Sequence, residues 1–163
     1  MPCIVADIFF CNFAGCSALA SIECSSWDTS SVANMNSMFD YCVSLPTLDV
    51  SRWDTSSVTD MVGMFFCCLL LSAADVSSWD VSRVTSCDCM FAGCSKLGDI
   101  AVSGWNTSSM KSASEMFARM DSFRSLALKV ESFSILSLAR VRRAGWLRKW
   151  GASRLALNRL PCI

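Results

Sequence analysis

Trp27, Trp53, Trp79 and Trp105 stand 26 residues apart, and the same interval separates Phe13, Phe39, Phe65, Phe91 and Phe117. Cys16, Cys42, Cys68 and Cys94 keep the step, with Met120 in the next cysteine position. A fixed interval of this length marks a repeat protein, in which each unit buries its apolar face only against its neighbours. Such a chain presents columns of equivalent residues along a surface, whereas an active site needs a unique constellation.

The units run 17–42, 43–68, 69–94 and 95–120, and the segment Leu45 to Cys68 is the most regular. Leu48-Asp49-Val50-Ser51 alternates apolar and polar residues, the period-two pattern of a short strand. Ile22-Glu23-Cys24, Ala74-Asp75-Val76 and Ile100-Ala101-Val102 are its equivalents. Val58, Met61, Met64, Phe65 and Cys68 then fall on one face of a helix. Ser30, Ser56, Ser82 and Ser108 precede these stretches in one column, where a hydroxyl can cap a helix N-terminus. The expected fold is an α/β, right-handed, leucine-rich-repeat-like solenoid of short parallel strands and capped helices, right-handed being the hand favoured for parallel crossovers.

Three regions follow. Residues 1–16 read as a partial N-terminal repeat, 17–123 as four full repeats, and 124–163 as a basic tail, either a helical cap or partly disordered. Because the array begins inside a unit, a fragment of a longer array is one reading of the chain. The formal charge of zero conceals a division: residues 1–123 carry five basic and thirteen acidic side chains, a balance of −8, and residues 124–163 carry nine basic and one acidic, a balance of +8. The tail is thus a candidate for an anionic membrane surface or for the acidic repeats themselves. No run of eighteen uncharged apolar residues reads as a spanning helix, and the N-terminus lacks the basic segment of a signal peptide.

Histidine is absent, which removes the commonest general base and metal-ligand side chain. Cys87, Cys89 and Cys94 form the densest cysteine group but lack a second pair at zinc spacing, so no metal site is expected. The cysteine column reads as buried packing, with disulfides between neighbours as the rival. The tryptophans read as packing, with a stacking platform for bases or sugars as the rival. No phosphate loop or nucleophile elbow is present, no cofactor is implied, and the acidic repeats oppose nucleic acid. Asp28, Asp54, Asp80 and Asn106 follow the tryptophans and suit turns. Glu23, Asp49 and Asp75 occupy the outward strand position, where stacked like charges repel; they are the candidate partner-binding residues.

The stretch Leu48 to Phe65, with Ser51-Arg52-Trp53-Asp54-Thr55-Ser56 and Met64-Phe65 at fixed offset, resembles the 26-residue repeat of bacterial surface proteins, the BspA-like branch of leucine-rich repeats. The resemblance spans about residues 9–128. It implies a leucine-rich-repeat-like fold on a cell surface or secreted, used for adhesion or protein recognition. The expected function is non-enzymatic protein binding, and the alternatives are a membrane-peripheral protein held by its basic tail or a fragment.

Overall fold

A computed structural model describes residues 13–122 and the backbone of 125–126. The readings of residues 1–12 and of the basic tail lie outside the described residues. Within them the 26-residue interval is a spatial register. Phe13, Phe39, Phe65, Phe91 and Phe117 stack ring on ring with centroids 5.4 to 5.9 Å apart. Trp27, Trp53 and Trp79 stack beside them at 5.9 and 6.3 Å. Parallel bridges join Asn34 to Asp60, Asp60 to Ser86 and Ser86 to Ser112, so successive segments lie on one another in step.

The α/β solenoid of strands and capped helices is overturned. No helix occurs among the described residues, and the strands are two-residue pieces, β1 (Asp99–Ile100) and β2 (Ser125–Leu126), paired in parallel. Thr47 and Ala73 make an isolated bridge one residue before the strand expected at Leu48–Ser51. Where helices were expected, the chain makes consecutive turns over 36–41, 62–67, 88–93 and 114–119.

The hydrogen bonds explain why. Met61, Gly63, Phe65 and Cys67 donate their N–H groups to the carbonyls of Ser86, Asp88, Met90 and Ala92 in the next segment. Met64, Phe66 and Cys68 donate to Met61, Gly63 and Phe65, three residues back. The odd-numbered donors here thus leave the segment, whereas an α-helix sends every donor four residues back along itself. Two positions per segment also have positive φ: Ser37 and Tyr41, Gly63 and Cys67, Cys89 and Gly93, Glu115 and Arg119. A right-handed helix of L-residues has no place for them.

The apolar spacing survives this change. Met35, Met38, Phe39 and Cys42 are buried while Asn36, Ser37, Asp40 and Tyr41 stay at least partly accessible. Two residues in and two out is a period of four, and over eight residues it differs from 3.6 by less than one position. The buried set therefore matches the expected stripe although its backbone does not. The core runs unbroken through the Met, Phe, Cys, Leu and Val columns, with Met61, Met64, Phe65 and Cys68 fully inaccessible. No helix among the described residues is long and apolar enough to cross a membrane.

Candidate functional site

The exposed edge of each segment is built around its tryptophan, buried at Trp53 and Trp79 and partly buried at Trp27 and Trp105. Trp53, Trp79 and Trp105 donate through Nε1 to the carbonyls of Cys24, Val50 and Val76, each 29 residues earlier, at 3.0 Å. Trp53 is stacked between Trp27 and Trp79, Trp79 stacks on Trp53, and both are almost fully buried. A stacking platform for bases or sugars has no open face at these two rings.

On either side of Trp53 and of Trp79 an acid makes a turn. Asp49 Oδ1 accepts from the N–H and the hydroxyl of Ser51, and Asp75 Oδ1 accepts likewise from Ser77. Asp28, Asp54, Asp80 and Asn106 accept from the N–H of Ser30, Ser56, Ser82 and Ser108 at 2.9 to 3.2 Å. These are Asx turns, in which a short acidic side chain holds the backbone two residues on. The serine column expected to cap helices thus donates from its N–H instead, and the aspartate is the acceptor.

Glu23, Asp49 and Asp75 all lie exposed, in one column, three segments deep. The Ser51 and Ser77 hydroxyls, followed by their N–H groups, hold the Asp49 and Asp75 carboxyls below the usual carboxylate value. Asp54 is lowered by Ser56 in the same way, and Asp80 by the Ser82 N–H first. A folded-state value below the unfolded one adds stability above the ordinary carboxylate range, which is lost as pH falls below about 4. We expect urea midpoints to fall between pH 6 and pH 3. The quadruple variant Asp49→Asn, Asp54→Asn, Asp75→Asn, Asp80→Asn keeps the acceptors but does not titrate, so its midpoint should fall less.

Sequence reasoning missed one inward polar column. Thr29 and Thr55 are buried, and their hydroxyls donate to the carbonyls of Asp54 and Asp80 in the next segment. Val81 in the same column was the visible signal, since valine has the shape of threonine and no hydroxyl. The thiols of Cys42, Cys68 and Cys94 donate to Phe13, Phe39 and Phe65, each 29 residues back. Burial pushes Cys42 up to about 11, Cys94 to about 12 and Cys68 further. Such thiols are protonated packing groups and poor nucleophiles. The eight described cysteines carry no disulfide, so the neighbour-to-neighbour bridges do not form among them. No group of three or more Cys, Asp or Glu among the described residues is placed to hold a metal ion.

Columns of equivalent side chains, each bonded to the segment before or after it, define a repeat protein in 26-residue register. Residues 9–130 match the family described as "Mycoplasma protein of unknown function, DUF285", and the chain belongs to that family. No curated protein and no solved structure matches the chain.

Proposed function

We propose that this chain is a non-enzymatic recognition module, of the kind that bacterial surface repeat proteins use to hold a protein partner. The carrying observation is the exposed acidic column Glu23, Asp49 and Asp75. Asp49 and Asp75 commit Oδ1 to their turns, and each has a second carboxylate oxygen to offer. Asp28, Asp54 and Asp80 run beside them, also exposed. Two parallel rows of carboxylates raise the negative potential along one edge and favour a partner with a basic surface. The likeness to surface-protein repeats supports adhesion as the setting of that contact, and the lack of histidine among all 163 residues supports a role without acid–base catalysis.

The test keeps the turns and removes the charge. Full-length protein and the variant Glu23→Gln, Asp49→Asn, Asp75→Asn are titrated with fluorescent decalysine, a stand-in for a basic protein surface, by anisotropy. The wild type should bind with affinity that falls as salt shortens the Debye length below about 10 Å. The variant should bind about tenfold more weakly at low salt, which is about 1.4 kcal/mol. Equal binding by the two proteins, with unfolding midpoints unchanged, would show that this edge is not the binding face.

A further inference from the structure

At one place the columns break, and there the surface opens into a cavity of about 560 Å3. Its lining includes Ala73, Asp75, Lys96, Gly98, Asp99 and Ala101. Comparison along the columns shows what hollows it out. Ala101 stands where earlier segments have Asp49 and Asp75, and Gly98 stands where they have Pro46 and Ser72. Lys96 replaces Ser44 and Leu70, and Asp99 replaces Thr47 and Ala73. Gly98 and Ala101 thus remove bulk, and Lys96 and Asp99 add opposite charges beside the space. Within a repeat, a unique constellation of this kind is what a specific site requires.

The charges do not satisfy one another. No ion pair joins Lys96 to Asp75 or Asp99 among the described residues, although all three border one cavity. Asp75 Oδ1 is occupied by Ser77, which fixes the carboxylate at the cavity wall. We propose that this cavity binds a small zwitterion, an amino acid or dipeptide, with its ammonium group toward Asp75 and Asp99 and its carboxylate toward Lys96. Ala73 and Ala101 leave room for the backbone between the two charged ends. Because the cavity is open to solvent and the ligand has few atoms, its dissociation constant should be about millimolar.

The proposal shares Asp75 with the recognition reading above, and its test varies Lys96, outside that acidic column, and Ala101, at the column's next position, so that the two readings can fail separately. Labelled full-length protein is titrated with glycylglycine and followed by amide NMR. Saturable shifts should centre on the Ala73, Gly98 and Ala101 amides. N-acetylglycylglycinamide, neutral at both ends, should give none. Lys96→Met should weaken glycylglycine binding by at least about fivefold, and Ala101→Leu, which fills the cavity from an exposed position, should abolish it. Retained dispersion of the remaining amides shows that both variants fold. Absence of saturation, equal shifts with the neutral analogue, or unchanged affinity in Lys96→Met would each overturn the proposal.

Discussion

Phe65→Ala should lower the unfolding free energy by about 3 to 5 kcal/mol. Phe65 is fully buried, stacked between Phe39 at 5.9 Å and Phe91 at 5.4 Å, with Trp79 6.4 Å away. Truncation removes its burial, opens a cavity and deprives two neighbouring rings of one covered face. Domains of this size have roughly 5 to 15 kcal/mol of stability, so the loss is a large fraction of the whole. The effect depends on position in the column. Phe13 is only partly buried and stacks on a phenylalanine of one neighbour, Phe39, so Phe13→Ala should cost clearly less. Urea unfolding of both variants measures the difference. Phe39→Ala with Phe65→Ala should depart from additivity, because the two rings share a contact.

Trp79→Phe should cost about 0.5 to 1.5 kcal/mol through the hydrogen bond alone, with the smaller ring adding to it. The replacement can keep the stack on Trp53, whose ring is parallel to within 1°. It cannot keep the Nε1 bond to Val50, so a buried carbonyl loses one of its two donors and keeps the Trp53 N–H. Trp105 makes the same bond to Val76 but is only partly buried, and water can replace the lost donor there. Trp105→Phe should therefore be milder. Urea unfolding of the two variants compares the loss of a buried donor with the loss of one that water can replace.

The side chains were more legible than the backbone. Columns of Phe, Met and Cys announced the core, because burial repeats wherever the segments repeat. The helical assignment failed because Met61, Met64, Phe65 and Cys68 sit equally well on a helix face or on the inside of linked turns. The discriminating signal was glycine: Gly15 and Gly93 share one column and Gly63 lies in another, and all three have positive φ. It was faint because Tyr41, Cys67 and Arg119 occupy the first column elsewhere, and Ser37, Cys89 and Glu115 the second, at the same conformation. A single chain shows such a column as unrelated residue types. At the candidate binding edge, the exposure of Glu23, Asp49 and Asp75 could be read from strand alternation. The Asx turns of Asp49 and Asp75 could not, because a strand reading leaves no turn for Ser51 and Ser77 to close. The cavity beside Lys96 was invisible for another reason. Only the register of the folded segments brings Ala73, Gly98 and Ala101 to one place.

The central structural claim is that linked turns, bonded forward to the next segment, replace helices. Gly93→Ala tests it by sign. Gly93 has φ +79°, and an added Cβ would stand 3.0 Å from Cys67 Sγ and 3.3 Å from Cys67 Cα. In a helix interior the same change would stabilise by about 0.5 to 1 kcal/mol, since alanine is the better helix former. Equilibrium urea unfolding of Gly93→Ala against wild type should show destabilisation of more than about 1 kcal/mol. An increase in stability would contradict the turn-built backbone and return the segment to a helix.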